Sequence, residues 1–415
     1  MLSALRPLLV GSCLLFLAGQ SGAADVPVGP GDDKRGYETP DYETRSRRLD
    51  VMGGAPVTLI ELATSPPLGL PLLSVPPDNA ITEARIALGR RLFFDRRLSG
   101  NGTMSCAMCH VPEQGFAHNE MRTAVGIEGR SGRRNAPTVL NAAYLPRLFV
   151  DGRETSLETQ VWSPLLADNE MGNPAVGYVI ETLQGLSDYD GLFEAAYDRG
   201  PDMFTIGAAL ASYQRTLLAG DAPFDRWRYG GDDDTLPPAA RHGFELFTGR
   251  GRCSSCHLVG DRHALFTDGE FHNTGVGYAR GRRPSTGRAL VPIAPGVTIE
   301  AETAGVMHLG GVPPADLGRY EITRRPEDRW RYRTPGLRNV ALTAPYMHDG
   351  SLPSLGAVVR FYDDGGVPNE GLDPRIAPLG LSPAEQADLI AFLESLTGGN
   401  VTALVADAVA APVGD

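Results

Sequence analysis

The sequence predicts a mainly α protein built from two related units with long loops, and three observations carry that reading. Apolar residues recur at helical spacing in "ITEARIALGRRLFFD" (81–95) and "SPAEQADLIAFLESLTGG" (382–399), while strand signals are few and short. The pattern Gly-x-x-Leu-Phe occurs at 89–93 and again at 243–247, each time followed by a loop and a Cys-x-x-Cys-His run. Gly 50 and Pro 33 among 415 residues make the chain loop-rich, but below the range of a disordered one.

The paired cysteines say what the units hold. Four of the five cysteines fall in "CAMCH" (106–110) and "CSSCH" (253–257). With five Cys and eight His in the chain, an accidental match is a roughly three-in-a-million event per position. A zinc site needs both pairs together and leaves each His unexplained. A redox dithiol gives no reason for a second copy beside another His. The pattern fits covalent haem c, with Cys106, Cys109, Cys253 and Cys256 as thioether positions and His110 and His257 as iron ligands. The two units are then cytochrome c-like haem domains, the first loop being seven residues longer.

Taken from the N-terminus, Arg6 precedes the apolar run "LLVGSCLLFLAG" (8–19) and the small-residue stretch "QSGAAD". This reads as a signal peptide over 1–24, with export to the periplasm, where covalent haem attachment is expected. Cys13 lies inside the apolar run, which disfavours a lipoprotein. No other segment suits a membrane span in the mature chain. Residues 25–78 read as an irregular arm. The N-terminal haem domain covers 79–232, with Ile86, Leu88, Leu92 and Phe93 on one helix face. "GGDDDTLPP" (230–238) reads as the link, with Asp234 or Thr235 placed to cap the next helix. The C-terminal haem domain covers 233–400. Its last helix carries a Ser382/Glu385 capping box and Pro383 in the first turn, and Gly398 is expected to stop it. Residues 401–415 read as a flexible tail. The net charge of −12 disfavours nucleic acid and anionic membranes as partners.

The stretches "LGRRLFFDRRLSGNGTMSCAMCH", "RRNAPTVLNAAY", "DGRETSLETQVWSPLLADNEMG", "FHNTG" and "RYRTPGLRNVALTAPYMHDGSLPSLGAVVRFYDDGG" resemble the bacterial di-haem cytochrome c peroxidases, and within them the MauG-type enzymes. "FHNTG…GRYEITRRPED…RTPGLRNVALTAPYMHDGS" is also similar to MauG-like enzymes associated with methanobactin clusters. The resemblance runs from about 80 to 400. It implies that the His110 haem is peroxidatic, with Gln160, Glu170 and Pro164 over its open face; Glu170 would move a proton between the peroxide oxygens. Peroxidases that need reductive activation place a His where this chain has Ile127, so the resemblance implies a five-coordinate first haem. His118 is a rival cap, read as an exposed polar side chain.

At the second haem the position of the sixth ligand holds Tyr362, as in MauG-type enzymes, where ordinary peroxidases have Met. Met307 and Met347 are its rivals. Asn135, Thr343 and Pro345 match the family's calcium site, an oxygen shell completed by waters. His348 matches a residue supporting haem packing or a propionate and is read as structural. Two departures stand out. Val150 replaces the Trp usually found between the haems, and Gly251 replaces a surface Trp of MauG. Trp162, Trp227 and Trp330 are the available substitutes.

The expectation is a peroxidase-type oxidoreductase that reduces hydrogen peroxide at the His110 haem. It would discharge two oxidising equivalents on an external donor, a redox protein or protein substrate. The alternatives are an ordinary cytochrome c peroxidase fed by a small cytochrome or cupredoxin, and a non-enzymatic di-haem electron carrier. The segment 278–318 is longer than the link expected there; it reads as a lid, a docking loop or a surface insertion.

Overall fold

The computed structural model describes residues 58–281 and 316–411, together with the backbone of 288–294 and 297–302. The first expected helix spans Glu83–Phe94 (α1), and the Thr82 side chain accepts from the Arg85 N–H at its start. It buries Ile86, Leu88, Leu92 and Phe93, the face that the apolar spacing marks. Its partner is Met203–Gln214 (α2), which starts with an Asp202/Thr205 capping box. The two backbones meet at Gly89, where a Cβ would lie 1.8 Å from the Ala209 carbonyl oxygen. Glycine is required there because any side chain would hold the helices apart.

The second unit repeats this frame. Pro238–Thr248 (α3) and Leu355–Asp363 (α4) both pack against Pro383–Glu394 (α5). Here Gly243 marks the closest approach, with a Cβ falling 2.0 Å from the Asp388 carbonyl oxygen. Around that crossing Phe224, Phe247, Phe266 and Phe392 form a buried cluster, and the Phe247 and Phe392 rings lie 4.9 Å apart. At the first crossing Phe93 sits 5.3 Å from Tyr213, edge-on, whereas the Phe247 and Phe392 rings are tilted.

Sheet is confined to two small antiparallel pairs. One joins Phe271–His272 to Tyr332–Arg333. The other is the hairpin Arg288–Ala294/Val297–Glu302, inside the long 278–318 segment. Ion pairs tie early loops to late ones: Arg134 forks onto Asp316, and Arg133 pairs with Glu321. No described helix is long and apolar enough to cross a membrane.

Three local expectations are corrected. Helix α3 has Pro237 at its cap position and no side-chain cap, so neither Asp234 nor Thr235 serves; Pro238 supplies the preset φ of a first helical turn. The predicted Ser382/Glu385 box is present on α5, but the helix ends at Glu394 rather than at Gly398. Gly398 instead lets the chain pass Gly220, whose carbonyl oxygen would lie 2.9 Å from a Cβ. The supposed tail is largely a helix, Val401–Val409 (α6), burying Leu404, Val405 and Ala408. Apolar residues at i, i+3, i+4 and i+7 (401, 404, 405, 408) hold it to the body, and Asp407 pairs with Arg90. The signal-peptide reading, most of the arm and Met307 fall outside the described residues.

Candidate haem sites

Both Cys-x-x-Cys-His runs present their histidine in the same way. Cys106–Cys109 forms a single helical turn, and the His110 N–H closes it onto the Cys106 carbonyl at 2.9 Å. The His110 Nδ1 lies 2.9 Å from the Pro137 carbonyl oxygen. A carbonyl only accepts, so Nδ1 carries the proton and the Nε2 lone pair is left for a metal. His257 repeats the device, with Nδ1 2.8 Å from the Phe266 carbonyl oxygen. Burial lowers the pKa of both imidazoles and keeps them neutral, the ligating form. Phe93 and Phe247 flank the two rings at 6.5 and 6.4 Å.

The zinc alternative finds no support in this geometry. Among the described residues the only cluster of three or more metal-capable side chains is Cys256, Asp268 and His272, which contains one thiol rather than two pairs. Two separated sites, each with a thiol pair and a tautomer-fixed histidine, fit haem c.

Later in the same half of the chain come two short helices, Leu157–Gln160 and Trp162–Leu166. Gln160 ends the first of these and Pro164 lies in the second. Glu170 follows in a turn whose N–H donates to the Ala167 carbonyl at 2.9 Å. Burial raises the Glu170 pKa, and the charge of Arg153 opposes the shift. Its own charge acts on both Cys106 and Cys109, which places the carboxyl beside the first motif. Ile127 is buried, and its N–H donates to the Glu170 carbonyl at 2.9 Å. Gly172, at φ +61°, makes room for it: a Cβ there would lie 2.0 Å from the Ile127 Cδ1.

His118 corrects one expectation. It is buried rather than exposed, with Nδ1 unpartnered. Its charge acts on His110, and the neighbouring Phe116 carbonyl also faces that imidazole, so it is part of the His110 surroundings.

For the second motif the residue to place is Tyr362, in the last turn of α4. Burial pushes its hydroxyl above the ordinary phenol range, and the charges of Cys253 and Cys256 push it further. The side chain therefore faces that cysteine pair. Met347 lies in another loop, next to His348, whose carbonyl accepts the Asn135 N–H at 2.8 Å. The Asn135 Nδ2 donates to the Arg122 carbonyl at 3.0 Å, leaving Oδ1 turned the other way. Thr343 and Pro345 follow in the same loop as His348. His348 stacks on Tyr332 at 3.6 Å, and burial lowers its pKa to about 4.

Sequence reasoning missed a charged network at the second motif. The His272 Nε2 lies 2.9 Å from Asp268 and its Nδ1 lies 2.8 Å from Asp373. Burial opposes its charge, but hydrogen bonds to Cys256 and Asp268 prevail and push its pKa up to about 9. Arg375 forks onto Asp373 and donates to the Ser255 carbonyl at 3.1 Å. The motif "FHNTG" was the available signal, with Asp268 four residues upstream, but the second acid, Asp373, comes from 101 positions away.

The three tryptophans separate. Trp162 is buried on the helix that carries Pro164. Trp227 belongs to the second aromatic cluster, and Trp330 packs on Tyr278 at 5.0 Å. Gly251 leaves no room for a Trp, since a Cβ would fall 2.7 Å from the Leu246 carbonyl oxygen.

The family model described as di-haem cytochrome c peroxidase matches residues 83–234. The chain is 36% identical over 366 residues to the cytochrome-c peroxidase IdrP1 of Denitromonas iodatirespirans, covering 85% of this chain and 93% of that one. It is 37% identical over 325 residues to the methylamine utilization protein MauG of Methylorubrum extorquens, covering 77% and 80%. Among solved structures, a MauG-like protein associated with microbial copper homeostasis superposes with a TM-score of 0.67 at 30% identity, covering 81% and 96%. Repeated attachment sites, a helical frame and similarity over most of the chain agree: the protein belongs to the di-haem cytochrome c peroxidase and MauG family of peroxidase-type oxidoreductases.

Proposed function

We propose that the protein is an exported, MauG-like enzyme that reduces H2O2 at the His110 haem and draws the two electrons from an external donor or partner protein. The observation that carries this is the contrast in sixth-ligand positions. An aliphatic Ile127 is buried beside Glu170 at the first site, and a phenol, Tyr362, faces the second cysteine pair. An alkyl side chain cannot ligate iron, so Ile127 would leave the first haem able to take peroxide without prior reduction.

Bound haem supplies the redox-active iron, and this chain's residues supply the rest. His110 and His257 would hold the metals through Nε2, since their Nδ1 protons are fixed by backbone carbonyls. Glu170, favoured in its neutral form by burial, would donate a proton to the departing peroxide oxygen and take one from the other oxygen. Gln160 orients the peroxide, and Pro164 and Ile127 keep bulk water out. Burial favours the neutral phenol of Tyr362; the charge of a bound iron would reverse that, and as a phenolate ligand Tyr362 would favour oxidised iron at the second site. The domain reading of 79–232 as peroxidatic and 233–400 as electron-transferring follows from this division. Asn135 Oδ1 with the Thr343 and Pro345 carbonyls, which accept no hydrogen bond among the described residues, suits a hard cation such as Ca2+ between the units. The signal-peptide pattern of residues 1–24 supports the periplasm as the location.

The test is the visible and EPR spectrum of the fully ferric protein before and after one equivalent of H2O2. A change without added reductant is expected. No reaction until one haem is reduced would assign the protein to the ordinary peroxidases. Two six-coordinate haems inert to peroxide would make it an electron carrier.

A further inference from the structure

Among the described residues, well-buried guanidinium groups other than that of Arg333 come with carboxylates. Arg338 forks onto Asp225 at 2.8 Å through two nitrogens. Arg215 pairs with Glu158 at 2.6 Å, and Arg134 is held by Asp316 and Asp151. Arg333 departs from this rule. It is 8% exposed, yet it has no carboxylate partner among the described residues, only the Phe149 carbonyl at 3.3 Å and the Thr334 carbonyl at 3.2 Å. Burial with no compensating charge lowers its pKa to about 10. A charge left this way costs several kcal/mol on the general scale for buried ions.

Its place in the fold indicates what completes it. Arg333 pairs with Phe271 in the two-stranded sheet, one residue from His272, which contacts Cys256. Two residues further on, the Pro335 carbonyl faces the His257 imidazole. On the other side the Arg333 N–H donates to the Val150 carbonyl at 2.7 Å. The guanidinium thus stands between the second attachment site and the Phe149–Val150 segment of the first unit. A haem brings two carboxylates of its own to such a border.

We infer that Arg333 is the counter-ion of a propionate of the haem held by Cys253, Cys256 and His257. This rests on the di-haem reading of the two motifs. A fork of N–H donors matches a carboxylate in a way that a lysine does not. The pairing favours the ferrous state, because it cancels a negative charge near the iron. It also ties that haem to the backbone at the position where this chain lacks the usual Trp.

The experiment uses the full-length, haem-loaded protein and its Arg333→Gln and Arg333→Lys variants. Pyridine haemochrome content checks the di-haem reading independently, and spectroelectrochemical titration measures each midpoint. With two haems retained, Arg333→Gln is expected to lower the ferrous-to-ferric ratio of the His257 haem about tenfold at a fixed solution potential. Arg333→Lys should lower it by a smaller factor. An unchanged midpoint for that haem in Arg333→Gln, or a shift confined to the His110 haem, overturns the inference. If Arg333→Gln fails to retain haem, Arg333→Lys decides, and no shift there overturns it equally.

Discussion

The two haem-binding units share a frame down to single residues and differ where a sixth ligand would stand. Each crosses its helices at a glycine, Gly89 on Ala209 and Gly243 on Asp388. Each sets a phenylalanine about one ring-width from the proximal imidazole, and each fixes that imidazole through a backbone carbonyl. Above the motifs the likeness ends. The first unit brings in a two-helix segment and a loop, placing Glu170 and Ile127. The second brings in the end of α4, placing Tyr362. On the proposed reading, holding a haem is a property of the duplicated frame, and using it is decided by Ile127 and Glu170 at one site and Tyr362 at the other.

Glu170→Gln tests that asymmetry most severely. It should slow the reaction with peroxide by roughly 10²-fold or more while both haems stay attached. Stopped-flow spectra measure it, and an unchanged rate removes Glu170 from the chemistry. The second unit provides the matching test. Tyr362→His keeps a six-coordinate haem without an anionic oxygen ligand, so the resting spectrum should change at that haem only. Peroxide should still react at the first. Loss of ligand binding at both haems would mean that the two upper faces are not independent.

The shared frame makes a prediction of its own. Alanine at Gly89 or Gly243 gains helix propensity worth about 1 kcal/mol, but its Cβ meets a carbonyl of the facing helix. Overpacking should win, with a net loss of about 1–3 kcal/mol in each case. Thermal melts of the two variants should agree, and a stabilised Gly243→Ala would show that the units are not built alike. The smallest effect is expected at the caps. Ser382→Ala breaks a reciprocal box with Glu385 and should cost about 1 kcal/mol. Thr82→Ala should cost less, since Thr82 satisfies one N–H without reciprocation.

The sequence by itself determined the chemistry that is local. A Cys-x-x-Cys-His run places two thiols and an imidazole within one turn of chain, so both attachment sites were legible from spacing. The helices α1 and α5 and the Ser382 box were equally legible, because 3.6-residue periodicity and capping act within a few residues. Tertiary structure decided what depends on distant partners. Residues 401–409 read as a small-residue tail, and only the surface beneath α6 makes that helix worth forming. His118 read as an exposed polar side chain until the fold buried it near His110. His272 has one acid four positions away, but its other lies 101 positions off, and Arg333, buried with no acid beside it among the described residues, carries no mark of that in its own neighbourhood. The cost of burying a charge depends on which groups the fold brings within a few ångströms, and spacing along the chain does not encode that.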